Sequence, residues 1–292
     1  MKAYIFPGQG SQRPGMAKEL LAFSPYSAQE YLEMADDILG FELSKIMIDG
    51  TANELRKTSI TQPAVYVYSV IKARISRDFK PDMVAGHSLG EFSALAAVRG
   101  VTFAEGLRIV HKRAVAMQAA CDAQKSSMAA VLGLDNEIIE RICGEITEEI
   151  VVPANYNCPG QLVISGTEAG LALAKERLMA GGARRVLPLK VNGAFHSPVM
   201  EAAKAELEKV VNSIKFNRPQ AMLYQNLTAM PTNDPEEIQK NLIEQLTSPV
   251  KWMQTIENMI VDGARQFVEV GSRPVLGNMV KKINSKAAPV LL

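Results

Sequence analysis

The chain has 292 residues, of which 47% are hydrophobic, and its formal net charge is +1 at pH 7. This length and apolar content suit one large domain or two unequal domains, and the near-neutral charge argues against nucleic acid or a membrane surface as a partner. The three cysteines form no C-x-x-C pair, which predicts reduced thiols in a cytoplasmic protein.

The N-terminus is expected to enter a strand at once, with no visible signal peptide. No apolar run approaches the ~20 residues that a bilayer span requires. The three histidines show no metal-ligand spacing, so no metal site is predicted.

Predicted strands and helices alternate in the first part of the chain. Lys2 to Phe6 is predicted to form a strand that ends at the loop Pro7 to Gln12. Helical runs continue to about Phe79, and Asp82 to Gly86 is predicted to be a second strand. Thr102 to Glu105 is a capping box that opens a long helix. Strands separated by helices predict a parallel sheet with helices packed on it.

The segment 126–191 changes to the order strand, helix, strand, strand, helix, strand, which is the ferredoxin-like pattern. Its predicted strands are Met128 to Gly133, Val151 to Asn157, Gln161 to Gly166 and Arg184 to Val191. We therefore expect a small ferredoxin-like domain, 126–191, inserted into a large domain of residues 1–125 and 192–292. Phe267 to Val270 is predicted to return to the sheet of the large domain.

Residues 86–90 have the pattern G-x-S-x-G, with a predicted strand before them and a predicted helix after them. This is the context of a nucleophile elbow. Side chains at Gly86 and Gly90 would hinder the close packing of such a turn. Ser88 would lie at the positive end of the helix, with the N–H of Leu89 ready to stabilise an oxyanion. Ser88 is thus the predicted nucleophile, and a solvated serine in a glycine-bounded turn is the structural alternative.

A serine nucleophile needs a base within hydrogen-bond reach, and the chain offers three histidines. His87 adjoins Ser88, and adjacent side chains tend to diverge. His111 lies near the helix flank opposite an apolar stripe and is expected to be solvated. His196 follows the small domain on a loop before Ser197, which can cap the next helix. We predict that His196 is the base, although a histidine docked at a helix start is the structural alternative.

Serine before histidine is the chain order of α/β-hydrolase-like enzymes, so we expect the large domain to be α/β-hydrolase-like. Those enzymes also have an acid between the two. Here none of the acids in that interval, such as Asp135, lies in a recognisable strand-end motif. A backbone or side-chain carbonyl is therefore expected to orient His196, because such a dyad suffices for acyl transfer.

Arg113 lies on the capped helix, at the edge of its apolar stripe, and its neighbours on that flank are Gly106, Ala116 and Ala120. An arginine beside a groove of small residues could hold a carboxylate bidentately. Taken alone, a structural ion pair explains Arg113 equally well.

Together these motifs resemble the malonyl-CoA:acyl-carrier-protein transacylases and the acyltransferase domains of polyketide and fatty-acid synthases. The resemblance covers nearly the whole chain. The matching segments are Pro7–Gln12, Gly86–Glu91, Arg113 with Met117 and Gln118, Asn155–Gln161, Gly193–Ser197, Gln245 with Ser248–Val250 and Trp252, and Glu269–Gly271.

The resemblance implies that Ser88 takes the malonyl group from malonyl-CoA as an ester, with His196 as general base and then general acid. Gln9 and Leu89 would supply the oxyanion N–H groups. The phosphopantetheine thiol of acyl carrier protein would then attack this ester, providing extender units for fatty-acid synthesis. The implied partners are therefore a carrier protein and a coenzyme A thioester, and no bound cofactor is expected.

The resemblance also implies three supporting roles. Arg113 would bind the free malonyl carboxylate, and Gln245 would orient His196 through its backbone carbonyl. Phe195 resembles the malonyl-selective members of the family. A monomer in the cytoplasm is expected.

Three other functions stay open from the sequence. A serine thioesterase on the same elbow would release free malonate, and a non-catalytic acyl-binding module would form no ester on Ser88. A free-standing acyltransferase that serves a polyketide synthase would share the chemistry, and the sequence does not separate that pathway from fatty-acid synthesis.

Overall fold

The computed structural model describes residues 1–191 and 193–292. The strands in this part of the chain are β1 (Lys2–Phe6), β2 (Met83–Gly86), β3 (Ser126–Leu132), β4 (Val151–Cys158), β5 (Gln161–Thr167), β6 (Arg185–Pro188), β7 (Met222–Tyr224), β8 (Pro231–Thr232), β9 (Gln266–Glu269) and β10 (Val290–Leu291). The α-helices are α1 (Met16–Phe23), α2 (Pro25–Leu39), α3 (Leu43–Asp49), α4 (Thr58–Ile75), α5 (Leu89–Ala97), α6 (Phe103–Ala123), α7 (Asn136–Gly144), α8 (Glu168–Ala180), α9 (Glu201–Asn212), α10 (Pro235–Glu244), α11 (Trp252–Val261) and α12 (Leu276–Ile283).

The larger sheet has the strand order β10-β9-β1-β2-β7-β8. Its neighbouring strands are parallel except for β7 and β8, which pair antiparallel. The prediction of a parallel sheet is wrong at this edge, because the short connection 225–230 suffices for an antiparallel hairpin but not for a parallel crossover. The sequence pattern does not predict β7, β8 or β10, since strands this short show no period of two.

The smaller sheet is antiparallel and has the order β4-β5-β3-β6. Its first three strands lie within two residues of their predicted bounds. The prediction for the fourth strand is wrong at its end, because β6 stops at Pro188. Beyond Pro188 the Leu189 amide still bonds the Met128 carbonyl at 2.9 Å, and the Val191 carbonyl then accepts from the hydroxyl of Ser127 at 3.0 Å. The predicted domain boundary at Asn192 lies outside the described residues.

The fold is thus mixed α/β, with a largely parallel sheet and a separate antiparallel sheet. The central strand β1 shows how the core is built around the larger sheet. Tyr4 and Phe6 pack into one hydrophobic cluster, whereas Ala3 and Ile5 pack into another on the opposite face. Because successive side chains of a strand point to opposite faces, a strand buried on both sides is apolar throughout.

Helix α6 begins at the predicted capping box, which the structure confirms. The Thr102 hydroxyl accepts from the Glu105 amide at 3.1 Å, and the Glu105 carboxylate accepts from the Thr102 amide at 2.8 Å. The helix then crosses the main core and carries the buried side chain of Arg113 beneath the end of β2. The local cap thus sets the start of α6, the helix that carries the buried guanidinium of Arg113.

The predicted strand, turn and helix around Ser88 are also confirmed, as β2 leads through the turn into α5. The turn is crowded by backbone atoms. A Cβ at Gly90 would lie 1.9 Å from the Phe6 carbonyl oxygen, and one at Gly86 would lie 1.9 Å from the Gly90 carbonyl carbon. These two positions therefore admit only glycine.

We predict that Gly90→Ala lowers the free energy of unfolding by about 3 kcal/mol or more, since its methyl group must displace backbone rather than a flexible side chain. Chemical denaturation of the two proteins measures this loss. Gly144→Ala is the matched control, because a Cβ at Gly144 meets no atom within 4 Å. The control is expected to change stability by less than about 1 kcal/mol. Equal effects of the two substitutions would contradict the packing argument.

Candidate active site

Ser88 is held in a strained backbone conformation at the start of α5. Its φ is 54° and its ψ is −112°, which few residues other than glycine adopt. Such a conformation costs ~1–3 kcal/mol and persists only when the surroundings enforce it. Here the His87 amide bonds the Phe6 carbonyl at 2.9 Å, and the Ser88 amide bonds Asn226 Oδ1 at 2.7 Å. These bonds present the hydroxyl at the tip of the turn.

The Ser88 hydroxyl faces His196, as the elimination among the histidines predicts. His196 Nε2 lies 2.8 Å from Ser88 Oγ, and His196 Nδ1 lies 2.9 Å from the Gln245 backbone oxygen. A carbonyl oxygen only accepts hydrogen bonds, so Nδ1 carries the proton and Nε2 is free to accept from Ser88. This is the arrangement in which a histidine can remove the serine proton.

The imidazole of His196 resists protonation. Burial lowers its pKa to about 3, and the nearby charge of Arg113 adds to this effect. The Gln245 carbonyl opposes the shift, because it accepts a hydrogen bond from the ring. His196 is therefore neutral, and able to accept a proton, at every pH near 7.

Arg113 is a cation with only 1% of its surface exposed. Its guanidinium donates to Gln62 Oε1 at 2.6 Å, to Ser88 Oγ at 3.1 Å and to Gln245 Oε1 at 3.2 Å. Its Nε has no partner among the described residues. Burial lowers the pKa of Arg113 to about 10, and the charge of Glu91 opposes this shift. The side chain is thus still a cation near pH 7, and carboxylate binding is the chemistry it favours.

The backbone amides of Gln9 and Leu89 line the same cavity as Ser88. The first loop is pressed against the elbow, since a Cβ at Gly8 would lie 2.5 Å from the His87 carbonyl oxygen and 3.8 Å from the Leu89 nitrogen. Neither amide donates a hydrogen bond to another described residue. Two unused N–H donors in the same cavity, one on the first loop and one at the start of α5, are suited to a developing negative charge.

A cavity of about 210 Å³ leads to these groups. Its floor holds Ser88, His196 and Arg113. Its walls are mostly apolar and come from α6, the smaller sheet, the segment after β6 and α12: Met117, Met128, Val163, Leu189, Val191, Phe195, Leu276 and Met279. Phe195 is 7% exposed and packs into the main core, so its ring shapes the cavity next to the base.

The other two histidines lie away from the serine hydroxyl. His87 turns to the smaller sheet, where its Nε2 lies 2.9 Å from Asn157 Oδ1 and its ring packs near Trp252. His111 is half-buried beside Phe41, and burial lowers its pKa. The prediction that His111 is solvated is therefore only partly right, because Phe41 lies beside its ring while the neighbouring Lys112 is exposed.

Sequence reasoning missed several polar residues that hold the site. Asn226 and Gln62 bond Ser88 and Arg113, yet neither lies in a recognisable motif. Glu91 did leave a signal, because it is an acid within the otherwise apolar start of α5. It is 1% exposed, which is rare for a glutamate without a structural or functional role.

In residues 1–191 and 193–292 no three His, Cys, Asp or Glu side chains gather as a potential metal site. No helix in the same part of the chain has the length and hydropathy of a membrane span.

The chain is similar to known proteins over nearly its whole length. The family described as acyl transferase domain matches residues 3–290, and the chain belongs to that family. It is therefore an acyltransferase.

A relative from Bacillus subtilis, named malonyl CoA-acyl carrier protein transacylase, is 39% identical over 97% of this chain and 90% of its own length. The crystal structure of an acyl carrier protein S-malonyltransferase from Vibrio cholerae is 35% identical, with a TM-score of 0.95 over 100% of this chain and 96% of that one. A structure of a type II PKS acyl-carrier protein in complex with its malonyl-transacylase gives a TM-score of 0.95 at 36% identity, over 100% and 95% of the two chains.

The depressed pKa of His196 predicts how stability responds to pH. Because the folded value of about 3 lies below the ordinary 6.5, the unfolded chain takes up the proton first. The stabilisation by neutral His196 is complete above about pH 6.5 and is lost as the pH falls towards about 3. Relative to His196→Gln, the wild-type protein should lose about 2 kcal/mol of unfolding free energy between about pH 8 and about pH 5. Denaturant titrations at both pH values measure this, and a constant difference would contradict the burial of a neutral imidazole.

Proposed function

We propose that this acyltransferase moves the malonyl group of malonyl-CoA to the phosphopantetheine thiol of an acyl carrier protein, through an ester on Ser88. The observation that carries the proposal is the buried guanidinium of Arg113, whose Nη2 lies 3.1 Å from Ser88 Oγ. A cation so close to the nucleophile selects an acyl group with a carboxylate near its reacting carbonyl. The names of the relatives support the same donor and acceptor.

In the first half-reaction, Ser88 Oγ attacks the thioester carbonyl while its proton passes to His196 Nε2. The new oxyanion would accept hydrogen bonds from the backbone N–H groups of Gln9 and Leu89. The carbon–sulfur bond then breaks, and the proton on His196 passes to the departing sulfur of coenzyme A. The products are free coenzyme A and a malonyl ester on Ser88.

Arg113 would bind the malonyl carboxylate during this step. A malonyl group has one methylene between carboxylate and carbonyl, so a guanidinium beside Ser88 Oγ can hold the carboxylate while the carbonyl meets the nucleophile. The carboxylate would replace the contact from Arg113 to the serine and satisfy the Nε that lacks a partner among the described residues. Acetyl groups lack this interaction and would be positioned less well.

In the second half-reaction the carrier-protein thiol enters the cavity and gives its proton to His196. The sulfur attacks the ester carbonyl, the carbon–oxygen bond breaks, and the proton returns to Ser88 Oγ. The apolar walls disfavour water, which supports transfer over hydrolysis. We expect Phe195, which narrows the cavity beside His196, to disfavour malonyl groups with an α-branch. The scheme uses no bound cofactor.

We also propose the domain division predicted from the sequence. Residues 126–191 would be an inserted ferredoxin-like domain, and residues 1–125 and 192–292 an α/β-hydrolase-like catalytic domain. The β4-β5-β3-β6 order and a separate hydrophobic cluster between that sheet and α7 and α8 support the first. The serine elbow after β2 supports the second.

The partners are a carrier protein and coenzyme A thioesters, and we expect the chain to act as a monomer in the cytoplasm. The free cysteines support a reducing compartment. The choice of fatty-acid over polyketide synthesis stays a prediction that carrier-protein preference can test.

The mass of the intact protein after brief exposure to malonyl-CoA tests the chemistry. We expect a gain of one malonyl group in the wild type and none in Ser88→Ala, because the serine oxygen carries the ester. Acetyl-CoA is the control donor and should give little product. Release of coenzyme A without any mass gain would overturn the transferase proposal in favour of a thioesterase.

Arg113→Ala tests the origin of malonyl selectivity. We expect the rate of malonyl ester formation to fall ~100-fold, since a charged hydrogen-bonded anchor is lost, while acetyl ester formation changes far less. Arg113→Lys is the matched control, because it keeps the charge but loses the planar fork, and it should retain part of the preference. An unchanged ratio of malonyl to acetyl rates in Arg113→Ala would refute the anchor.

A further inference from the structure

Glu91 is a buried carboxylate in the first turn of α5 that the mechanism above does not use. Its Oε1 accepts from Gln225 Nε2 at 3.0 Å. Its Oε2 accepts from the Asn226 amide at 2.8 Å and from Gln245 Nε2 at 3.0 Å. Three neutral N–H donors therefore converge on one carboxylate, and they bind its ionised form more strongly than its protonated form.

The contact with Asn226 leads to the nucleophile. Asn226 Oδ1 accepts from the Ser88 amide at 2.7 Å, and its Nδ2 donates to the Gly86 carbonyl at 2.6 Å. The asparagine thus bonds both sides of the elbow, while Glu91 fixes its backbone. Movement of Asn226 would release the strained turn at Ser88.

The contact with Gln245 leads to the base and to the anchor. The Gln245 side chain also donates to the Ser88 carbonyl at 3.2 Å and accepts from Arg113 at 3.2 Å. Its backbone oxygen is the acceptor for His196 Nδ1 at 2.9 Å. A shift of Gln245 would therefore move the imidazole relative to Ser88.

The charged and titratable groups around Glu91 come from several elements. Helix α6 contributes Arg113, whose charge favours the ionised form, and the loops contribute His87 and His196, whose pKa values are lowered by burial. Helix α4 contributes Arg74, which bonds the Ala96 carbonyl at the opposite end of α5. Burial is the largest influence and raises the pKa of Glu91 to about 7.

We propose that Glu91 is a positioning residue for acyl transfer, whose ionised carboxylate aligns His196 with Ser88 by fixing Gln245 and Asn226. The inference rests on the proposed function and deepens it. Glu91 does not touch the reacting atoms in this arrangement and acts through these two amide side chains.

Protonation of Glu91 removes its negative charge and places an O–H donor among N–H donors, so the three charge-assisted contacts to Gln225, Asn226 and Gln245 are weakened. Because Glu91 has a pKa of about 7, the aligned form is present above that pH and is lost as the pH falls through it. His196 is neutral down to about pH 3 and contributes no loss in this range. Ester formation should therefore show an acid limb near neutrality that belongs to Glu91.

The test is the single-turnover rate of malonyl ester formation, followed by mass from about pH 5.5 to about pH 8.5. In the wild type we expect a rate that falls towards tenfold per unit below about pH 7. Glu91→Gln does not titrate and should show no such limb. Glu91→Ala should be at least ~30-fold slower at about pH 8, because the misplacement of positioned groups costs rates of this size.

Glu105→Gln is the matched control. Glu105 is the third residue of α6, as Glu91 is the third residue of α5. Its carboxylate accepts from the amide of the N-cap residue Thr102 and makes no hydrogen bond with Gln245 or Asn226. We expect this variant to keep the wild-type rate and acid limb. If Glu105→Gln lowers only the stability of the protein, the pH profile of malonyl ester formation should stay that of the wild type.

The proposal is overturned if Glu91→Gln keeps the wild-type limb, or if Glu91→Ala keeps the wild-type rate. If neither variant folds, the wild-type profile still decides, and a flat rate across the range overturns the titration of Glu91. The proposed function fails in a different way, since the wild type would then form no malonyl ester at any pH.

Discussion

The active site depends on one close contact between backbones, that of Gly90 on α5 with the carbonyl of Phe6 at the end of β1. This approach brings the helix start, the elbow and the first loop to the same point. It is the reason that Ser88 is held in a strained conformation and that Gln9 lies beside Leu89. A strained turn needs rigid neighbours, and parallel strands buried on both faces supply them.

Burial leaves two basic side chains of one pocket in opposite charge states near pH 7. Arg113 and His196 both lose contact with water, and burial lowers the pKa of each. The arginine begins from a high value and keeps its charge, whereas the histidine becomes a neutral acceptor. The charge of Arg113 also disfavours protonation of the imidazole. Arg113 thereby helps to keep the imidazole of His196 neutral.

Gln245 takes the place that an acid holds in a serine–histidine–acid triad. Its backbone carbonyl selects the tautomer of His196, and its side chain lies between Arg113 and Glu91. A carbonyl orients the ring without placing a full negative charge against it, so the imidazolium receives less stabilisation. The buried carboxylate of Glu91 contacts the side chain of Gln245, whereas the ring of His196 contacts the neutral backbone carbonyl of Gln245.

The sequence by itself determined the features that depend on local geometry. The elbow, the α6 cap and the order of strands and helices along residues 126–191 follow from glycine positions, capping pairs and periods of two and 3.6 residues. His196 emerged by elimination, and Gln9 and Gln245 only through resemblance to a family. Tertiary structure alone decided that Asn226 bonds Ser88 across 138 positions of the chain, and that short edge strands such as β8 form. The partner of a buried polar group is chosen by how distant segments pack, and no local pattern encodes that choice.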